Sequence, residues 1–144
     1  MASETSPVPT WDAFVKSNLL SAGIVSGVCL SAQHGVPIYT HGDLDALEQA
    51  DLQQFLPVFR SPSSQHTEGI LEAGFTISTR GGKTMEFKVY QKTYCSVYAT
   101  SPGNTEGLIV SNLPHGILLC TYRHPVQPGI AIKHVEQFCD LLRA

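Results

Sequence analysis

Four cysteines and six histidines are the residues of this 144-residue chain with the widest chemical reach. Grouped at short spacing they would bind zinc, and a thiol beside an imidazole would make a nucleophile. Cys29, Cys95, Cys120 and Cys139 offer neither arrangement. They are far apart, form no C-x-x-C pair and sit inside apolar strand or helix patterns, so they read as small buried hydrophobes. His34, His41, His66, His115, His124 and His134 form no H-x-x-x-H and have no carboxylates at ligand spacing, so no metal and no cofactor are expected. An enzyme using Cys95 or Cys120 with a histidine lacks any local signature, which makes a catalyst the poorest candidate. Cationic chemistry is equally thin. Nine Lys and Arg stand against twelve Asp and Glu, a formal net charge of -3, which gives no overall field for nucleic acid or an anionic membrane. Arg80, Lys83, Lys88 and Lys92, around one turn and the strand leaving it, are the one local concentration that could meet phosphate.

The elements that must position these groups follow from periodicity. In the last third, Leu108 to Val110 and Ile117 to Cys120 are short apolar runs separated by the turn residues Asn112 to Gly116, which predicts a β-hairpin. From Ile130 onward Ala131, Val135, Phe138 and Leu142 recur on one side, with Lys133, Glu136, Gln137, Asp140 and Arg143 opposite, which predicts an amphipathic terminal helix. Residues 1–8 are polar and Pro-containing and read as a loose tail, with one domain over 9–144. Thr10 caps a helix carrying Trp11, Phe14, Val15 and Leu19 on one side, ended by Ser21-Ala22-Gly23. Ile24 to Ser31 and Val36 to Tyr39 read as a hairpin, and Asp43 to Phe55 as a helix stopped or kinked by Pro57. A Ser/Pro/His-rich loop over 60–67 precedes Gly74 to Thr79, the turn Arg80 to Lys83 and a long strand with Met85, Phe87 and Val89 on one face. Past Lys92, Cys95, Val97 and Ala99 continue the inner face, whereas Tyr94, Ser96 and Tyr98 look outward. The sum is α+β: a single antiparallel sheet of six or seven strands flanked by helices, with the N- and C-terminal helices packed side by side. No apolar run is long enough to span a membrane and the N-terminus has no signal-peptide pattern, so a cytoplasmic location is expected.

From Trp11 onward the sequence resembles the profilin family. Thr10-Trp-Asp-Ala-Phe-Val15 is similar to its opening Ser-Trp-x-x-Tyr-Val. Gly74-Phe-Thr-Ile with Arg80-Gly-Gly-Lys83 is similar to its central Gly-Leu-Thr-Leu-Gly-Gly-x-Lys, and Tyr122-Arg-His-Pro-Val-Gln-Pro-Gly129 followed by Val135-Glu136 to its last loop and helix. The resemblance implies a non-enzymatic, cytoskeleton-associated protein that binds monomeric actin, proline-rich ligands such as those of actin elongation factors, and in many members phosphoinositides. For the proline-rich site it points to Trp11, to Phe14 in place of a tyrosine, to Tyr39 rather than Ile38 near the usual second tryptophan, and to Leu141 where an aromatic or histidine is usual. Weaker proline-rich binding is therefore expected. For actin it points to Thr100, Arg123, Val126, Gly129, Lys133 and Glu136. Two departures, Ala99-Thr100 for a basic pair and Arg123-His124 for an acidic loop, imply altered affinity. Helix-flanked antiparallel sheets also serve as PAS-like or longin-like sensor and trafficking scaffolds, which would show a sizeable interior pocket or a partner unrelated to actin.

Overall fold

The computed structural model describes residues 11–32, 34–59, 72–79, 83–93, 95–114 and 116–143. The tail at 1–8, the Thr10 cap, the loop over 60–67, Arg80 and Tyr94 lie outside them. Helix α1 (Trp11–Val15) runs on as one wider π-type turn, Lys16–Leu20. Strands β1 (Gly27–Ala32) and β2 (Pro37–Gly42) follow, then helix α2 (Gln49–Leu52) and a 3-10 turn, Leu56–Phe59. Next come β3 (Phe75–Ser78), β4 (Thr84–Lys92) and β5 (Ser96–Thr100). The chain closes with β6 (Glu106–Leu113), β7 (Gly116–Arg123) and helix α3 (Pro128–Arg143). Among the described residues seven strands form one sheet in the order β2-β1-β7-β6-β5-β4-β3, every pair antiparallel.

The periodicity of α3 explains where it lies. Pro128 occupies a first-turn position whose N–H would have no intrahelical partner, and Ala131, Val135, Phe138 and Cys139 form its buried stripe. That stripe and Val15 and Leu19 of the first helix cover one sheet face, made by Val28, Leu30, Tyr98, Ile109, Leu118 and Cys120. The terminal helices touch directly. The Phe14 and Phe138 rings lie 5.4 Å apart, and His134 Nε2 sits 2.8 Å from the Leu19 carbonyl oxygen. The opposite face, with Cys29, Val97, Ala99, Leu108, Val110 and Leu119, is covered by Leu44, Leu47, Leu52, Phe55 and Val58. Burial on both faces removes the alternation expected past Lys92. Ser96 and Tyr98, expected to look outward, are buried because α3 lies over them, and Cys95 is only half-buried.

The helix expected over Asp43 to Phe55 contracts to α2. Asp43 N–H donates to the Ser26 carbonyl at 3.1 Å and Asp45 N–H to the Gly42 carbonyl at 3.0 Å, so this stretch turns back on β1 and β2. The helix begins only at Glu48, whose N–H donates to Asp51 Oδ2 at 2.9 Å in a reciprocal capping box. Its apolar set is buried all the same. Pro57 ends nothing; it sits second in the 3-10 turn, where a backbone donor is not needed. Nearby, the Gln54 side-chain amide donates to the Thr76 carbonyl at 2.8 Å and accepts from the Thr76 N–H at 3.2 Å, standing where a further strand would pair with β3.

Candidate functional site

Trp11 is the first residue of α1, and its indole is 42% exposed, so it is not part of the sealed core. Behind it stands Phe14, edge-on at 6.0 Å and 83°, itself resting on Phe138. The indole overhangs a groove of about 140 Å³ lined by Leu30, Ile38, Leu113, Pro114 and Leu142 among others. Three elements meet there: the start of α1, the end of α3 and the β6–β7 turn beside β2.

Trp11 is thus the expected residue that lines the groove, while the other three are displaced. Phe14 supports the indole from behind. Tyr39 turns its hydroxyl to Asp12 Oδ1, donating at 3.2 Å, and Ile38 enters the lining instead. The reason is a β-bulge: Leu30 pairs with Tyr39 but Ser31 with Pro37, which leaves Ile38 as the extra residue and breaks the strand's alternation. Leu141 is 53% exposed outside the lining, and Leu142, about 100° further round the helix, takes its place. Asp12, held by the Lys16 ammonium at 3.1 Å as well as by Tyr39, has its carboxyl lowered below the usual range, chiefly by the Lys16 hydrogen bond.

The other end of α3 opens on a second concavity, about 470 Å³, lined by Tyr90, Thr100, Glu106, Tyr122, His124, Val126 and Pro128 among others. Thr100 and Val126, expected for a partner face, meet there. Gly129 and Lys133 are exposed on the first turns of α3 beside it. Tyr122 lies across Gly107, its cross-strand partner, where a Cβ would overlap the ring. Burial, with the Tyr90 hydroxyl beside it, pushes the Tyr122 phenol well up. A third depression of about 490 Å³ adjoins through Thr100 and is lined by Thr76, Glu86 and Lys88 of the sheet face that α3 leaves uncovered.

Two expected residues of that face are engaged elsewhere. Arg123 follows Tyr122 on β7 and therefore points to the opposite side of the sheet, where it pairs with Asp43. Glu136 was expected on the solvent side of α3 but is half-buried against the sheet. Its Oε1 accepts from the Ser96 hydroxyl at 3.0 Å and the Ser111 hydroxyl at 3.3 Å, and its Oε2 from Tyr98 at 3.2 Å. The helix places it one position after the buried Val135, so its carboxylate reaches those three hydroxyls on the sheet.

The lysines expected to meet phosphate do not converge. Lys83 and Lys92 lie about 30 Å apart along an extended strand. Lys88 projects with Glu86 from the uncovered face, while Lys92 turns over the Phe59 ring at 5.7 Å and donates to the Thr93 carbonyl at 3.2 Å. Among the described residues no group of His, Cys, Asp and Glu could hold a metal ion, and no helix is long and apolar enough to cross a membrane. Tyr90, Tyr122, Leu113, Pro114 and Leu142 line sites without having been singled out. Leu142 belonged to the visible apolar stripe, but nothing in that stripe separates its last, uncovered member from the core.

Comparison with known proteins gives a family model, Profilin, matching residues 9–144. A relative from Dictyostelium discoideum, Profilin-3, is 25% identical over 134 residues, 93% of this chain and 96% of its own length. The structure is similar to Acanthamoeba castellanii profilin II, with a TM-score of 0.74, 23% identity and coverage of 92% and 96% of the two chains. It is similar also to LokiProfilin1 in its complex with rabbit actin, TM-score 0.68, 13% identity, 92% and 93% covered. Mouse profilin IIa, in complex with a double repeat from the FH1 domain of mDia1, gives a TM-score of 0.62 at 11% identity, 92% and 96% covered. These structural likenesses speak to the fold.

Proposed function

The chain belongs to the profilin family, and from that premise we propose that it binds an actin monomer at the start of α3 and proline-rich ligands in the groove under Trp11. Both halves draw on family members solved with such partners, rabbit actin in one case and an FH1 repeat in another. What carries the reading in this molecule is the exposed Trp11 indole over an apolar groove, at the opposite end of α3 from the broad concavity at Tyr90, Tyr122 and Val126. A polyproline II ligand has no internal hydrogen bonds and offers flat ring faces and free carbonyls. The indole supplies a face and an N–H donor, and Ile38, Leu113 and Leu142 supply aliphatic walls. With a single ring in the lining, binding is weaker than a groove built of several rings would give.

The actin face comprises Thr100, Val126, Gly129 and Lys133 with Tyr90 and Tyr122. A partner side chain entering the concavity would meet apolar anchors inside a polar rim. The protein acts as a non-enzymatic, cytoplasmic regulator of actin assembly. Excess protein is expected to slow spontaneous actin polymerisation, and Lys133→Ala to weaken that effect. Unchanged assembly together with unchanged diffusion of labelled monomer would sink the actin half. For the groove, Trp11 emission should respond to added polyproline, and Trp11→Phe, which keeps a ring but loses the N–H donor, should weaken binding.

A further inference from the structure

We infer that His134 is a positioning residue for the groove under Trp11: from α3 it holds the π-type turn of the helix that carries the indole. The inference rests on the reading of that groove as a proline-rich site. His134 Nε2 lies 2.8 Å from the Leu19 carbonyl oxygen. A carbonyl only accepts, so this ring nitrogen carries the hydrogen and donates. The last carbonyls of a helix must find donors outside its regular ladder. Asn18 Nδ2 donates to the Phe14 carbonyl at 2.9 Å, the Ser21 N–H to that of Lys16 at 3.0 Å, the Ser21 hydroxyl to that of Ser17 at 3.0 Å and the Gly23 N–H to that of Leu20 at 3.0 Å. Those donors are close by in the chain, whereas Leu19 is served across the interface by the other terminal helix.

The widened turn explains how the two meet. Along α3, His134 and Phe138 are four residues apart, about one turn, and both touch the first helix. Their contacts there, Leu19 and Phe14, are five apart. Two regular antiparallel helices would match four against four. The extra residue is absorbed by Lys16–Leu20, where the Ser21 N–H bonds back five positions to Lys16. The Phe14–Phe138 ring contact can slide, but the hydrogen bond is directional and fixes the register. The helix so fixed has five residues in α1 and five in the turn, too few to hold its place in water unaided. Trp11 stands at its far end, about 12 Å from Leu19 along the axis, so a tilt of about 10° about Leu19 moves the indole by about 2 Å. That is a large displacement over a groove of about 140 Å³. Without the His134 bond the indole overhangs the groove for a smaller fraction of the time, and a ligand meets an affinity reduced by that fraction.

The test compares the full chain with His134→Leu, which keeps bulk but donates nothing, and His134→Gln, whose side-chain amide keeps a donor. A synthetic proline decamer is the probe and Trp11 emission the readout, with acrylamide quenching of the unliganded indole measured alongside. Binding is measured well below each variant's unfolding midpoint, so that affinity reports the folded chain. His134→Leu is expected to bind the decamer about 3- to 10-fold more weakly and to change the quenching, and His134→Gln to restore both to within about twofold of the parent. Rescue by the amide is what a role in bulk packing would not give. Equal losses in the two variants, or none in either, would overturn the proposal. A decamer that moves the emission of none of the three proteins would remove the proline-rich reading of the groove, a separate failure. The quenching comparison then still decides whether His134 places the indole.

Discussion

Glu136 shows how far a single side chain can depart from what its spacing suggests. Helical position places it among charged residues, yet three hydroxyls, those of Ser96, Ser111 and Tyr98, donate to its carboxylate from the sheet. Removing it in Glu136→Ala leaves these donors short of an acceptor in a buried layer, and a loss of about 1–3 kcal/mol is expected in urea denaturation. Lys133→Ala, one turn earlier and exposed, should leave stability unchanged while affecting partner binding. The same network bears on pH. Burial first, then the charge of Glu136, pushes the Tyr98 phenol up to about 12, and burial pushes the thiols of Cys29 to about 12 and Cys139 to about 11. Folded pKa values above the unfolded ones mean that the unfolded chain releases these protons first as pH rises. Stability contributed by the neutral forms is therefore intact below pH 9, and is lost from about pH 9 to 12 as the unfolded and then the folded groups ionise. Denaturation midpoints across that range should fall, and Tyr98→Phe should flatten the part of the slope above pH 10.

At the scale of elements, what was legible in the sequence is what depends on one strand or helix at a time. The β6–β7 hairpin follows from two continuous apolar runs that are buried on both faces, and α3 and the Met85–Phe87–Val89 face of β4 follow from spacing, because each buries one stripe. What escaped depends on neighbours. Ser96 and Tyr98 alternate like an outward face, and only the landing place of α3 buries them. Residues 43–48 are helix formers that the pairing of Asp43 with Ser26 and Arg123 holds in turns. The bulge that brings Ile38 rather than Tyr39 into the groove lining leaves no compositional trace, and neither does the turn of α3 that puts Leu142 there rather than Leu141. The Gly107–Tyr122 pair makes a test at this scale. Gly107→Ala forces the ring aside and is expected to cost about 1–3 kcal/mol. Because Tyr122 lines the concavity near α3, the variant should also weaken actin binding, which calorimetric unfolding and a monomer-binding assay would separate.

For the whole molecule, the two proposed sites lie near opposite ends of α3, with Pro128 and Leu142 about 21 Å apart along the axis. Ligands placed there need not collide, so a ternary complex with actin and a proline-rich peptide is expected. Sedimentation of labelled peptide with the actin-bound species would demonstrate it; displacement of one ligand by the other would contradict it. The sheet that carries both sites has an end at β3, and there the Gln54 amide occupies the main-chain groups of Thr76. A lone carboxamide thus does for this border what another chain would otherwise do, and it keeps the border from acting as a template. Gln54→Leu would unmask that ladder, and light scattering of concentrated solutions should register lateral self-association that the parent protein resists.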